Sequence, residues 1–363
     1  MKMLQAFAAM VVASTLACPP ASAQMPDTAG PADMRITAAH RQQLIDHLAK
    51  EVGSSYVFPD IADKVAASLR AQHQRGAYES IQSAQQLSEV LTKEMQTTSN
   101  DRHLRVMYSA KILPARKPNT EPTPGDAASR LAMLRSDNFG VERIERLPFN
   151  IGYLELTMFA PAKDAAETIA AAMTVLAHTD ALIIDLRNNL GGDAATSALL
   201  ASYLFDKRTH LNDFHYREGN RIEQRWTSDV VPGLRYGQKK EVYILTSKET
   251  FSSGEDFTYA LKNLKRATVV GETTGGGANA GDDLRLLPNF SAFVPLSRLV
   301  SPITGSNWDG VGVAPDVSVP AADAMSAAQV AILKKMAASE GNTDRRDRLQ
   351  DRIAVLSAAR TGT

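Results

Sequence analysis

The sequence predicts an α/β protein in which a helical N-terminal domain precedes a mostly parallel sheet with flanking helices. From about residue 140 onward, short aliphatic runs alternate with helical stretches, as is typical of βαβ units. Before that point, apolar residues recur at three- and four-residue spacing, which indicates helices. The 363 residues include 40 Lys and Arg and 40 Asp and Glu, and this balance argues against nucleic acid or an anionic membrane as a general partner.

The first residues indicate a targeting segment. Lys2 precedes an uncharged apolar stretch from Leu4 to Leu16, and small residues follow up to Ala23. This pattern predicts a signal peptide at 1–23, cleaved after Ala23, and therefore an exported protein that is periplasmic or secreted. No stretch is long enough to cross a bilayer stably, so we expect no membrane span in the mature form.

Helical periodicity runs through 36–98 and is broken at Pro59, because proline cannot continue the preceding helix. A cluster of prolines with Gly125 then predicts an exposed linker. The predicted segments are a helical N-terminal domain (24–111), a Pro-rich linker (112–127), an α/β domain (128–321) and a helical tail (322–363).

Within the α/β domain, the aliphatic run at 181–186 is bounded by turn residues and predicts a buried strand. The same reasoning applies to its neighbours along the chain. The other predicted elements are strands at 151–156, 241–246 and 267–270 and helices at 165–177 and 255–264.

Ser252 lies in a short segment that follows the strand at 241–246 and opens a helix. A serine at such a turn holds its hydroxyl near the positive end of the helix, which stabilises an alkoxide or an oxyanion. An alternative is purely structural, because Ser252 followed three residues later by Glu255 also matches a helix capping box. Both interpretations stay open from this segment alone.

Gly191 and Gly192 end the buried strand segment, and paired glycines allow backbone N–H groups to face a substrate oxygen. His103 stands where an Asp- and Asn-rich turn leaves the helical segment, and Asp309 precedes a tight glycine turn. The structural alternatives are an ordinary strand–helix turn for the glycine pair, a packed histidine for His103 and a turn carboxylate for Asp309.

The sequence contains no cysteine pair, and its histidine and acidic residues do not form a motif with metal-ligand spacing, so we expect no metal. The glycine-rich run at 271–277 lacks the spacing of a phosphate or dinucleotide loop. We therefore expect no cofactor.

Several short motifs occur in the order that is typical of peptidase family S41. They are 57–60, 101–106, 185–192, 250–257, 269–278 and 310–316. The chain resembles the branch of that family that includes interphotoreceptor retinoid-binding protein modules and the tricorn core, without a PDZ domain. The resemblance implies a ClpP/crotonase-like core and a serine peptidase that acts on peptide or protein substrates.

The resemblance implies Ser252 as the nucleophile, His103 as the general base and Asp309 as the acid, although relatives more often carry glutamate at the last position. The processing-protease branch pairs its serine with a lysine at the position of Gly277, so a Ser–Lys dyad is disfavoured here. In physical terms, a serine hydroxyl needs a base within hydrogen-bond reach. The amide of Ser253 and those of Gly191 and Gly192 are the candidate oxyanion donors.

Two alternative functions share these residues. One is a non-catalytic module that binds a lipid or retinoid-like apolar ligand between the helices and the sheet. The other is an esterase that uses the same triad on a different substrate. Reaction with an active-site serine reagent separates the binding module from either hydrolase.

Overall fold

The computed structural model describes residues 32–114 and 123–361, and the described residues from Asp33 onward belong to one compact unit. The predicted signal peptide at 1–23 lies outside the described residues. The helices are α1 (Ala38–Ser55), α2 (Pro59–Gln74), α3 (Ala84–Ser99), α4 (Pro124–Ser136), α5 (Ala162–Leu176), α6 (Ala194–Ser202), α7 (Ser253–Asn263), α8 (Ala324–Ser339) and α9 (Thr343–Thr361). Within the described part, none of them is both long and apolar enough to cross a membrane.

The strands form two separate sheets. They are β1 (Arg105–Tyr108), β2 (Val141–Leu147), β3 (Ile151–Leu156), β4 (Ala181–Asp185), β5 (His210–Tyr216), β6 (Ile222–Trp226), β7 (Glu241–Thr246), β8 (Thr268–Gly271), β9 (Asn279–Leu287), β10 (Phe290–Val300) and β11 (Val317–Ser318). One sheet is mostly parallel and the other is antiparallel.

The mostly parallel sheet has the strand order β11-β8-β7-β4-β3-β2 and confirms the α/β prediction. Only β2 runs antiparallel, beside β3. The strands predicted at 151–156 and 241–246 have the predicted bounds, and β4 is buried along its whole length. Because helices cover both faces of the sheet, both sides of β4 are buried, which explains why its residues are mostly aliphatic.

Helices cover both faces of this sheet. On one face α5, α6 and α7 pack through residues such as Ile169, Leu200 and Phe257. On the other face α8 and α9 pack through residues such as Ile332 and Leu349. The helical tail predicted at the C-terminal end of the chain corresponds to α8 and α9, which form one layer of the α/β sandwich.

The antiparallel sheet is absent from the sequence prediction. Its order is β1-β10-β5-β6, and β9 pairs with the other edge of β10. Helices α1, α2 and α3 share one core with it, in which Leu48 and Leu91 join Phe290. Because β1 follows α3 and β9 pairs with the same strand as β1, this sheet brings the segment before β1 close to the start of β9.

The predicted break between the first two helices is confirmed, since α2 begins at Pro59. Proline suits a first helical position because the N–H that it lacks would have no partner there. The predicted linker differs at its end: α4 begins at Pro124, and Thr123 Oγ1 accepts a hydrogen bond of 3.2 Å from the N–H of Asp126. Residues 115–122 of that segment lie outside the described residues. The domain boundaries stay predictions.

Candidate active site

Ser252 lies where the chain leaves β7 and enters α7. It is the N-cap residue of α7, with φ of 52° and ψ of −120°. A side chain in this region costs about 1–3 kcal/mol, and such strain concentrates at functional sites. The turn therefore places a hydroxyl at the positive end of a helix, and does so at the expense of backbone strain.

Glu255 holds this turn in place. Its carboxylate is fully buried and accepts hydrogen bonds from the N–H of Ser252 at 2.9 Å, of Gly276 at 2.7 Å and of Gly277 at 2.8 Å. The hydroxyl of Thr274 donates to it as well. Burial raises the pKa of this carboxyl, and the donors oppose that shift. Glu255, three residues after Ser252, thus supports the strained turn and also joins it to the 274–277 loop.

The two glycines of the 185–192 motif stand where the chain passes close to other segments: Gly191 beside the Ser252 turn and Gly192 beside Phe159. A Cβ on Gly191 would lie 2.6 Å from Cβ of Ser252, and a Cβ on Gly192 would lie 2.1 Å from the carbonyl oxygen of Phe159. Their φ angles are 102° and 130°. A side chain at either position would therefore clash and be strained.

The candidate oxyanion donors differ in their partners. The N–H of Gly191 donates to Oδ1 of Asn189 at 2.9 Å, so this amide is already engaged. Gly192 and Ser253 both line the cavity beside Ser252, and the Ser253 hydroxyl donates to the carbonyl oxygen of Gly192 at 2.7 Å. The geometry therefore favours the amides of Gly192 and Ser253.

His103 lies between the end of α3 and the start of β1 and is buried. Its ring packs between Phe251, at a centroid distance of 4.6 Å, and Phe293, at 5.6 Å. Burial, followed by the nearby charges of Arg105 and Arg102, lowers the pKa of the imidazole to about 4. The side chain is therefore neutral near pH 7, as a general base must be.

Asp309 is half-buried, and its carboxylate contacts the start of β9. Its carboxylate accepts from Nδ2 of Asn279 at 2.8 Å and from the N–H of Ala278 at 3.2 Å. Burial and the neighbouring charge of Asp101 raise its pKa to about 7. Nδ1 of His103 has no hydrogen-bond partner among the described residues, so Asp309 is not bonded to that nitrogen.

A cavity of about 380 Å³ brings four of the six predicted site residues together, whereas Gly191 and Asp309 do not line it. His103, Ser252, Ser253 and Gly192 line it, and Asn279 forms part of its wall. The remaining wall is largely apolar, with Phe214, Phe251, Phe293, Leu299 and Trp308. Ser252 and His103 thus face the same space, although they lie far apart along the chain.

Comparisons with known proteins identify the family of this chain. Residues 150–319 match the model of peptidase family S41, and residues 34–138 match the model of the N-terminal domain of Peptidase_S41 in eukaryotic IRBP. Together the two models span most of the chain. The chain belongs to peptidase family S41.

Among curated relatives of this S41 member is carboxyl-terminal-processing peptidase 2, chloroplastic, from Arabidopsis thaliana, which is 28% identical over 172 residues. The match covers 47% of this chain and 32% of that protein. The chain therefore spans about a third of the length of that relative.

Solved structures show the same fold. A lipoprotein from Streptococcus agalactiae aligns with a TM-score of 0.52 at 13% identity, covering 81% of this chain and 96% of that one. The tricorn protease aligns with a TM-score of 0.50 at 14% identity, covering 88% of this chain and 37% of that one. These similarities support the α/β fold of the S41 member.

The structure gives a steric reason for the missing lysine. A Cβ on Gly277 would lie 2.3 Å from Cζ of Phe251 and 2.6 Å from Cε1 of His103. Any side chain at Gly277 would thus occupy the space that the imidazole fills. In this S41 chain, the observed position of the His103 imidazole and a side chain at residue 277 exclude each other.

Sequence reasoning missed the polar residues around His103. Asp101 accepts from the phenol of Tyr56 and from Nδ2 of Asn279, and neither residue stands out in the sequence. The available signal is the Asp-x-His spacing, because an Asp side chain commonly accepts from the backbone N–H two residues later. Asn279 could not be found this way, since only the fold brings it to Asp101.

Proposed function

We propose that this S41 chain is a serine peptidase that hydrolyses peptide bonds of peptide or protein substrates through an acyl-enzyme on Ser252. The observation that carries the proposal is the shared cavity, in which a strained helix-capping serine and a buried neutral histidine face the same space. A serine hydroxyl becomes an effective nucleophile when such a base lies within reach.

In the acylation step, Oγ of Ser252 attacks the carbonyl carbon of the scissile bond while its proton moves to Nε2 of His103. The carbonyl oxygen gains the negative charge and accepts hydrogen bonds from the amides of Gly192 and Ser253. Collapse of this intermediate breaks the C–N bond, and the imidazolium returns its proton to the leaving amine. Water then attacks the ester by the same route and releases Ser252.

Asp309 is the more distant of the two carboxylates in the proposed site, because it has no hydrogen bond to His103 and reaches the imidazole only through Asn279. Its carboxylate is linked to that of Asp101 through Nδ2 of Asn279, which donates to both. A carboxylate near the imidazole stabilises the imidazolium that forms when Ser252 loses its proton.

The substrate main chain is proposed to pair with β9. This strand begins in the cavity wall, where Asn279, Ala280 and Gly281 line the space next to Ser252. Among the described strands, β9 pairs with β10 on one side only. An extended peptide added to such an edge would present its carbonyl groups to the site.

We also propose that the peptidase acts outside the cytoplasm. The support is the signal-peptide pattern at 1–23, which ends in small residues before Gln24. N-terminal sequencing of the protein recovered from its native host tests this, since cleavage of the signal peptide after Ala23 predicts a mature chain that starts at Gln24.

The function is tested by labelling with a fluorophosphonate probe together with hydrolysis of an internally quenched peptide library. We expect stoichiometric labelling of the wild-type chain and peptide cleavage, both abolished in Ser252→Ala. Labelling with ester hydrolysis but no peptide cleavage would favour the esterase. Absence of labelling together with tight binding of retinol or a fatty acid would favour the apolar-ligand module.

A further inference from the structure

The imidazole of His103 carries a buried polar atom without a partner. Nδ1 has no hydrogen-bond partner among the described residues, although His103 is only 4% exposed. A buried polar atom of this kind normally has a hydrogen-bond partner in a native structure. Oδ1 of Asp101 lies 3.9 Å from this nitrogen.

Asp101 is held rigidly beneath the imidazole. It is fully buried, and its Oδ1 accepts from the backbone N–H of His103 at 2.9 Å. Its Oδ2 accepts from the phenol of Tyr56 at 3.0 Å and from Nδ2 of Asn279 at 2.9 Å. The carboxylate therefore belongs to the same turn as the imidazole and is fixed from the other side by α1's C-terminal end and by β9.

Asp309 stands one side chain further away. It reaches Asp101 only through Nδ2 of Asn279, which donates to one oxygen of each carboxylate. Asp101 accepts from three groups and Asp309 from two. Burial raises the pKa of both carboxyls, that of Asp309 to about 7. Since hydrogen bonds favour the charged form, the additional donor makes Asp101 the better place for the negative charge.

We propose that Asp101 is the positioning residue for His103, accepting the Nδ1–H when the imidazole takes up the Ser252 proton, and that Asn279 couples Asp309 to it from behind. A movement of about 1 Å would bring the 3.9 Å separation into hydrogen-bond range. Catalytic hydrogen bonds are often long until substrate binds. The inference rests on the proposed roles of Ser252 and His103.

The charges around the imidazole show why such a partner is needed. Arg105 lies over the ring of Phe293 at 4.8 Å, and Arg102 lies over the ring of Phe251 at 5.5 Å. Both rings pack against His103, so both cations oppose the imidazolium. Asp101 supplies the opposite charge on the remaining side, and it does not itself take the proton.

The test compares the second-order rate of fluorophosphonate labelling in Asp101→Asn, Asp309→Asn and the wild-type chain. We expect Asp101→Asn to lose about 10³–10⁴-fold, because the imidazole then lacks the acceptor that fixes its tautomer. Asp309→Asn should lose less than about tenfold, because its effect is transmitted through Asn279. Glu94→Gln is the matched control. This half-buried carboxylate on α3 accepts hydrogen bonds from the hydroxyls of Tyr78 and Ser68 away from the cavity, so the labelling rate of the variant should equal that of the wild type.

The inference is overturned by the reverse order of losses or by equal losses in the two aspartate variants. If the wild-type chain is not labelled, or if labelling persists in Ser252→Ala, both the inference and the proposed function are refuted. Labelling at Ser252 that is unaffected by Asp101→Asn would refute only the role of Asp101.

A second measurement does not depend on the folding of Asp101→Asn. In the phosphonylated wild-type chain, ¹⁵N-histidine NMR should show a downfield Nδ1–H resonance for His103 that persists in Asp309→Asn. A merely structural Asp101 would leave Nδ1 without an acceptor, and the resonance would be absent. Its disappearance in Asp309→Asn would assign the acceptor to Asp309 and overturn the inference.

Discussion

Gly277 and His103 are so close that a Cβ on the glycine would lie 2.6 Å from the imidazole Cε1. The same atom would lie 2.3 Å from the ring of Phe251. We therefore expect Gly277→Ala to displace the imidazole and to slow fluorophosphonate labelling of Ser252 by about 10²-fold, the effect of a displacement near 1 Å at a catalytic group.

The control for this substitution is Gly125→Ala, because nothing lies within 4 Å of a Cβ at that position. Its labelling rate should match the wild type. An unchanged rate in Gly277→Ala would show that His103 is not the group that activates Ser252.

The strained turn at Ser252 predicts a stability difference between two inactive variants. With φ of 52° and ψ of −120°, this position favours glycine. Ser252→Gly should raise the free energy of unfolding by about 1 kcal/mol relative to Ser252→Ala, which keeps the strained Cβ. Urea denaturation measures both, and equal stabilities would mean that the turn relaxes in solution.

The pH dependence of labelling should reflect the low pKa of His103. In the proposed mechanism the neutral imidazole is the base, so the second-order rate should fall only as the pH drops through the pKa of about 4, below the ordinary value near 6.5. Arg105→Gln removes a cation that lowers this pKa, so the acid limb should move to higher pH. Burial and Arg102 remain as causes of the shift in that variant.

Lys64→Gln is the control for the pH experiment, since Lys64 is exposed on α2. Its acid limb should coincide with that of the wild type. A wild-type acid limb near pH 6.5, or a limb that Arg105→Gln leaves in place, would mean that the charges around His103 differ from those described.

Glu255 should matter for both stability and rate. Its carboxylate accepts from the N–H groups of Ser252, Gly276 and Gly277, whereas a glutamine would turn an NH₂ group toward one of these donors. Glu255→Gln should lower the free energy of unfolding by about 3 kcal/mol and slow labelling as the turn loosens. Glu249→Gln, an exposed carboxylate in the same loop region, should change neither. Wild-type stability in Glu255→Gln would contradict the anchoring role.

The central strands of the mostly parallel sheet are predictable because they are local patterns. The strand at 241–246 needs only a run of aliphatic residues between turn residues, and α2 begins at the Pro59 that the sequence singles out. The antiparallel sheet lacks such patterns. β9 contains Gly281 and adjacent aspartates, and the register of β10 shifts near Pro295. In addition, β1 and β5 pair with β10, which lies far along the chain from either of them, so these two pairings have no local signal.

The candidate site divides in the same way. Ser252 and His103 stand in short motifs, so the sequence points to both, and the structure places them around one cavity. The link between Asp101 and Asp309 runs through Asn279, which lies beside Asp101 because β1 and β9 both pair with β10. Burial and long-range packing, which determine charge in this network, are not visible in a linear sequence.

The most direct measurement is the crystal structure of the chain after reaction with a fluorophosphonate. The account predicts a covalent bond from phosphorus to Oγ of Ser252, a phosphoryl oxygen within about 3.2 Å of the amide nitrogens of Gly192 and Ser253, and the imidazole of His103 beside the adduct. A reagent attached to another residue, or a Ser252 adduct with His103 facing away from it, would contradict the account.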